Sequence, residues 1–379
     1  MKKTIILLSA VLSFTANAQW SLTGNSGTNP SNNFIGTTDN TSLVFKTNNL
    51  EKLRINPDGR FVFLNLSSTG QIWDKNLFFG GGVNNATSIL NTVFGIGAFT
   101  QNTTGGGNTA IGSNAMSILS NGNSNTAVGS GAMNNSQSGS DNVAIGTNAL
   151  ESFISSSGNT AIGSHALAYG STGTNNTSIG VSGLRYLKSG TANVSVGSES
   201  FRSLDNGSNN INLGYSNARN ILSGNNNIFI GTNIVPYNAT SPNNELNIGN
   251  WIVGNNGTIG IGQFTNQLPA NGIAADGEKY KLFVKDGIRT EKVKVDIAAN
   301  NGWADYVFEK DYKLMPLNSV EKFIKENGHL PEVPTTEEAI KNGIELKEMN
   351  ILLLKKIEEL TLYTIEQQKR IEALEKKVK

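Results

Sequence analysis

Apolar and polar positions along this chain recur with a period of seventeen residues, carried through nine units without an insertion. Each unit opens on an asparagine: Asn91, Asn108, Asn125, Asn142, Asn159, Asn176, Asn193, Asn210 and Asn227. Four residues later comes a glycine: Gly95, Gly112, Gly129, Gly146, Gly163, Gly180, Gly197, Gly214 and Gly231. The residue before the glycine is apolar throughout: Phe94, Ile111, Val128, Ile145, Ile162, Ile179, Val196, Leu213 and Ile230. A second apolar column stands four residues after it: Phe99, Met116, Met133, Leu150, Leu167, Leu184, Phe201, Ala218 and Val235. A fixed period means that each unit stacks on a copy of itself, and seventeen residues are too few for a helical-hairpin repeat or a propeller blade. They suffice for one coil of a β-solenoid. The pattern predicts such a solenoid over residues 91–262, stacked at about 4.8 Å per coil, with the pre-glycine column facing in.

The spacing also assigns roles to the polar positions. The asparagines are expected to form an amide ladder, each side chain bonded to its copies in the neighbouring coils. The glycines mark corners that need a positive φ or leave no room for a Cβ. A third position, seven after the glycine, is bulky in Leu119, Phe153 and Leu187 but small in Ser136 and Gly170, a weaker two-coil repeat.

Elsewhere the pattern changes. Residues 19–90 read as an N-terminal β segment, with strands at Ser42–Lys46, Leu53–Ile55 and Phe61–Leu64 around the turn Pro57-Asp58-Gly59. At the far end of the array Leu246-Asn247-Ile248-Gly249 arrives one residue late, and Thr258–Gly262 lacks the asparagine. Residues 263–302 read as a β transition, with Lys281–Val284 and Lys292–Val295 as a strand pair. Residues 303–345 have the composition of a small helical region, with helices over 318–327 and 337–342. From 346 to 379 a heptad repeat places Leu346, Leu353, Leu360, Gln367 and Leu374 in one core position and Asn350, Ile357, Thr364, Ile371 and Val378 in the other. About five heptads predict a coiled coil, with Thr364 and Gln367 as a polar layer that fixes register. The heptads alone leave dimer and trimer open. The expected fold is thus mainly β, a solenoid or β-roll followed by short helices and a C-terminal coiled coil.

Composition sharpens this division. Between Asn91 and Gly262 there are four basic residues (Arg185, Lys188, Arg202, Arg219) and five acidic ones (Asp141, Glu151, Glu199, Asp205, Glu245). From Glu278 to the end there are nineteen of each. The net charge of +1 gives no reason to expect a nucleic-acid partner. Residues 1–18 read as a secretory signal: Lys2 and Lys3, the apolar run Ile5–Leu12, and Ala16-Asn17-Ala18 as the cleavage site. No later run approaches the ~20 apolar residues of a membrane helix. The chain has no cysteine, which excludes disulfides, thiolate metal sites and a lipidated cysteine. A secreted or cell-surface protein is expected.

The unit Asn-Thr-Ala-Ile-Gly-Ser-Asn-Ala-Met (Asn108 to Met116), recurring from Asn125, Asn142 and Asn159, resembles the head repeats of YadA-like trimeric adhesins. The resemblance covers about 170 residues. It implies three chains wound as left-handed parallel β-rolls about a common axis, and a head that binds matrix proteins or other surfaces. The seventeen-residue unit is longer than that family's usual one. The chain ends on a charged helix where the family carries a β-barrel anchor, so membrane anchoring of that kind is not expected. The segment from Trp303 to Lys379 is similar to the C-terminal segment of many secreted Bacteroidetes fibre proteins. More loosely it is similar to the trimerising, self-cleaving chaperones of phage tail fibres and endosialidases. Cleavage there depends on serine followed by aspartate; here Ala304-Asp305 stands in that place, with Glu309 and Lys310 following, and no cleavage is expected.

Chemistry is sparse. Asp141, Glu151, Glu199 and Asp205 occupy different positions in their units, so no two carboxylates pair as a glycosidase would need. His165 and His329 have no ligand partners near in sequence, and Gly105-Gly106-Gly107 lacks the lysine of a phosphate loop. No enzymatic activity, cofactor or metal is expected. The expected partners are the chain itself, as a parallel homotrimer, and a surface glycan or matrix protein. An exported structural or adhesive fibre subunit is the first reading. Two alternatives are an ice-binding solenoid, from the column Thr92, Thr109, Thr126, Thr160 and Thr177, and a tail-fibre-like protein that processes its own C-terminus.

Overall fold

The computed structural model describes residues 24, 26–63, 76–82, 88–102, 104–264, 268–274, 277–296 and 303–378. The signal-like segment with Ala18, and Leu64 of the third expected strand, lie outside the described residues. The fold is a β-solenoid of about ten turns at roughly seventeen-residue spacing, with a few helices near the C-terminus. The chain divides into two compact units, residues 1–209 and 210–379.

In the first unit, Leu43–Thr47, Leu50–Ile55 and Phe61–Phe63 form a three-stranded antiparallel sheet. Eight three-residue strands then stack in parallel and in register: Leu77–Phe79, Thr92–Phe94, Thr109–Ile111, Thr126–Val128, Val143–Ile145, Thr160–Ile162, Thr177–Ile179 and Val194–Val196. The first of these belongs to a coil that begins at Asn76, fifteen residues before Asn91, ahead of the expected start of the array.

The glycines satisfy both demands of a corner at once. Gly112 has φ +130°, and a Cβ built on it would lie 2.5 Å from the carbonyl oxygen of Gly129 in the next coil. Three further residues of each coil take left-handed backbone, such as Asn114, Met116 and Ser124 (φ 55°, 50° and 55°). Asparagine tolerates that conformation better than most residues, which accounts for part of the asparagine content.

Burial corrects the expected orientation of the strands. From Thr92–Phe94 onward the central residue of each is buried (Val93, Ala110, Ala127, Ala144, Ala161, Ser178, Ser195), and the pre-glycine residue faces out; Phe78, the centre of the first strand, is half-buried. Phe94 is 60 % exposed, Ile111 39 % and Ile145 40 %. With a pleat period of two, the residues flanking a buried centre must both point away from the core. From Thr109–Ile111 to Val194–Val196 the interior beside the strand is narrow and takes alanine or serine. The large core side chains come from the corners instead: Phe99, Met116, Met133, Leu150, Leu167, Leu184 and Phe201, with Leu119, Phe153, Leu187 and Leu204 from the position seven after the glycine.

In the second unit Ile211–Leu213, Ile228–Ile230 and Glu245–Ile248 continue as parallel strands, and Phe229 fills the central buried position. Val235 departs from its column: it is 71 % exposed and Ile234 is buried in its stead. Past Ile248 the coil pattern ends. Ile252–Asn255 and Thr258–Ile261 pair antiparallel as a meander, and Leu282–Val284 adds in parallel to the latter. The expected strand over Lys292–Val295 does not form: among the described residues no strand pairs with that segment.

Three helices follow: α1 (Leu317–Asn327), α2 (Thr336–Asn342) and α3 (Leu346–Val378). Gly328 in left-handed backbone ends α1, and Thr335 with Glu338 forms a capping box at the start of α2. A short 3-10 turn, Ala304–Phe308, packs against α3 through the buried Ala304 and Val307. Glu332 joins the loop between α1 and α2 to α3 by accepting from Lys355 Nζ (2.6 Å) and Lys356 Nζ (3.1 Å). The hydroxyl of Tyr312 donates to Glu359, and that of Tyr363 to the Met315 carbonyl.

Candidate functional site

The repeat asparagines form a continuous spine in the first unit. Asn108 Nδ2 donates to Asn91 Oδ1 at 3.1 Å, and Asn125, Asn142, Asn159, Asn176 and Asn193 repeat the contact at 2.9–3.2 Å. Each Oδ1 also accepts the backbone N–H of the following asparagine, at 2.9–3.0 Å. Each Nδ2 donates a second bond to the carbonyl fourteen residues on, as Asn108 does to Gly122 (2.8 Å). All four hydrogen-bonding positions of the amide are therefore used inside the core, where an unmet one would cost most. Asn76 starts the spine by accepting from Asn91 Nδ2 at 2.9 Å. The unit Asn76-Leu77-Phe78-Phe79-Gly80 has the Asn-x-x-x-Gly form, and only its fifteen-residue offset hid it from a fixed period.

In the second unit Asn227 bonds to Asn210 in the same way (2.8 Å), and its own Oδ1 accepts the backbone N–H of Glu245 (2.9 Å). Glu245 thus takes the asparagine's place at the last parallel strand. Its carboxyl is buried, which pushes its pKa up, while the backbone N–H groups of Tyr237 (2.8 Å) and Asn238 partly offset that shift.

Outside the core, the solenoid presents an uncharged apolar strip. In the first unit the pre-glycine residues Phe94, Ile111, Val128, Ile145, Ile162, Ile179 and Val196 lie on the outward side of the strands, beside the column Thr92, Thr109, Thr126, Val143, Thr160, Thr177 and Val194. In the second unit Ile211, Leu213 and Ile228 are exposed on the same side of their strands.

The heptad positions of α3 share a comparable exposure. Leu346, Leu353, Ile357, Leu360, Ile371, Leu374 and Val378 are all exposed, and so are Asn350, Thr364 and Gln367. The 3-10 turn also packs against α3, and Glu358 is buried. Leu353, Ile357 and Leu360 line one wall of a cavity of about 430 Å³ whose other walls include Met315, Leu317, Val320 and Leu330.

The candidate chemical groups stay apart. His165 occupies a left-handed corner (φ 57°), the slot of Asn114 and Asn148 in earlier coils, and its Nδ1 lies 2.9 Å from Ser164 Oγ. His329 Nδ1 lies 2.9 Å from the carbonyl oxygen of Leu330, and its ring meets Phe323 edge-on. Among the described residues no group of three or more His, Asp or Glu side chains is placed to hold a metal ion, and no helix is long and apolar enough to cross a membrane. Comparison with known proteins returns no matching family model, no matching curated protein and no matching solved structure.

Proposed function

We propose that this chain is the subunit of an exported structural or adhesive fibre, assembled as a parallel homotrimer. The observation that carries the reading is the outward apolar strip. A coil built from asparagine, threonine, serine and glycine puts its isoleucines outside, at the same place in coil after coil. Contiguous apolar surface of this kind marks an interaction face. Covering the exposed part of each isoleucine contributes on the order of 1 kcal/mol, so a row of them sustains a long, uncharged contact between like surfaces. The exposed seam of α3 offers a second contact of the same kind, with the heptad spacing that a coiled coil uses. Export rests on the signal-like residues 1–18. A surface glycan or matrix protein as ligand rests on the resemblance to trimeric adhesin heads, and weak contacts repeated over three chains add through multivalency.

Sedimentation equilibrium of residues 19–379 is expected to return three times the chain mass. Ile145→Lys with Ile179→Lys is expected to weaken that assembly at least tenfold. A monomer at micromolar concentration overturns the reading.

The threonine column favours ice binding as a second reading, because it stands in register on the same outward face as the isoleucines. The two readings exclude each other, since a face buried between chains cannot meet ice. A monomer that produces thermal hysteresis and faceted crystals would select it.

A further inference from the structure

All three basic residues and both tyrosines of residues 91–209 fall between Tyr169 and Arg202. In their units Arg185 and Arg202 stand five residues after the glycine, and Tyr169 and Tyr186 six after it. The backbone holds these coils together: Tyr169 N–H donates to the Arg185 carbonyl (2.8 Å) and Tyr186 N–H to the Arg202 carbonyl (3.3 Å). The two rings are stacked, with centroids 5.6 Å apart and 21° between their planes. The Arg185 guanidinium lies 5.3 Å from the Tyr169 centroid and 5.5 Å from that of Tyr186. Ser152 and Ser203 hold the tyrosine position in the coils on either side. Small side chains thus flank the pair, and the tyrosines remain 39 % and 38 % exposed.

The three cations here are not partnered alike. Lys188 is paired with Asp205 Oδ2 at 3.0 Å. Among the described residues Arg185 and Arg202 have no ion pair, and the Nε of each is buried without an acceptor. Arg185 and Arg202 stand in one column with their backbones about 4.8 Å apart along the stack, which puts two like charges on adjacent coils. An anion between them would balance those charges and supply the missing acceptors.

We propose that this cluster is a binding site for a carboxylated glycan, a polymer of uronic-acid sugars. Exposed aromatic rings present a negative π-face to the polarised C–H groups of a pyranose. The planar guanidinium fork matches a carboxylate bidentately. Each sugar of a uronate polymer carries both features, which fits rings and guanidiniums repeated in adjacent coils. The proposal rests on the adhesive reading for its biological sense and on this cluster alone for its chemistry.

The test uses residues 19–379 and polygalacturonate as the probe, with fully methyl-esterified polymer as the neutral control and dextran sulfate and polyglutamate as non-sugar-carboxylate controls. Neighbouring coils supply substitutions that the fold already accommodates: Tyr169→Ser with Tyr186→Ser, as at Ser152 and Ser203, and Arg185→Ala, as at Ala168. The wild-type protein is expected to bind polygalacturonate at least tenfold more tightly than the esterified polymer or polyglutamate. The tyrosine pair and Arg185→Ala, separately, are expected to lose at least tenfold, with unchanged thermal midpoints and assembly state. Absence of polygalacturonate binding overturns the proposal. So does binding that the tyrosine variant leaves intact or that dextran sulfate and polyglutamate reproduce, which would be charge alone. Sedimentation separates the two ideas. A trimer that binds matrix protein but no uronate sinks only the site, whereas a monomer that binds uronate through Tyr169 and Tyr186 sinks only the fibre.

Discussion

The ring of Phe153 occupies the space that a side chain on Gly170 would fill: a Cβ built on Gly170 meets Phe153 Cε2 at 2.0 Å. The two residues hold the same position in successive coils, so over residues 119–187 large and small side chains alternate, and Phe153 reaches over Gly170. The two-coil rhythm of Leu119, Ser136, Phe153 and Gly170 is this alternation. Gly170→Ala is expected to destabilise the fold by about 2–3 kcal/mol in denaturant melts. Adding Phe153→Leu recovers part of that loss, the remainder reflecting the Leu187 carbonyl 2.6 Å from the same Cβ. A double-mutant cycle reads the coupling, and strictly additive effects would exclude it.

Asn125 joins two neighbouring amides and one carbonyl, with bonds to Asn108, Asn142 and Gly139. Asn125→Ala leaves several buried polar groups unmet, at about 1–3 kcal/mol each. The expected result is a loss of more than about 3 kcal/mol, against less than about 1 kcal/mol for Thr126→Ala on the outward side. Chemical denaturation of the two variants checks it.

Glu245 gives a pH dependence of definite sign. Burial raises its pKa, so the folded chain holds this proton more readily than the unfolded chain does. Its protonated form favours folding on the acid side, and that contribution is lost as pH rises from the usual carboxylate range through the raised folded value. Glu245→Gln, which keeps an oxygen to accept from Tyr237, is expected to raise the thermal midpoint at pH 7. The gain shrinks towards pH 4. An equal gain at both values would show that the carboxylate is not opposed by burial.

The seam of α3 gives a test independent of the solenoid. Ile357→Lys with Leu360→Lys is expected to reduce assembly at least tenfold while helicity in the far ultraviolet falls only in part, because α3 keeps its packing against the 3-10 turn. Unchanged assembly would place the oligomer contact elsewhere.

Intact mass after export should correspond to residues 19–379. A fragment released near Ala304 would reveal self-processing at Ala304-Asp305 without the serine.

Much of the fold was legible because stacking imposes identity on every coil. The period, the amide ladder and the corner glycines follow from it, and so does the buried column from Phe99 to Phe201. The face of the strands was not legible. In Thr109-Ala110-Ile111 the largest apolar residue is the natural choice for the core, but the coil interior there admits only a methyl group, and Ala110 takes it. The coil at Asn76 escaped because it is two residues shorter, which changes the spacing and not the ladder. Lys292–Val295 has strand composition, yet a strand exists only where another offers it a partner. The cluster at Tyr169 and Arg185 was invisible to a search for paired carboxylates, since only the stacking of coils brings residues seventeen apart together.

The amide spine makes the length of the solenoid quantised. Each asparagine presents the same acceptor forward and the same donors backward, so a coil can be removed or duplicated whole and the ends still join. Recombination between near-identical units such as those starting at Asn108 and Asn125 changes length in steps of one coil. Natural variants of this chain are therefore expected to differ by whole coils, a ruler that evolution can lengthen or shorten without redesigning either end.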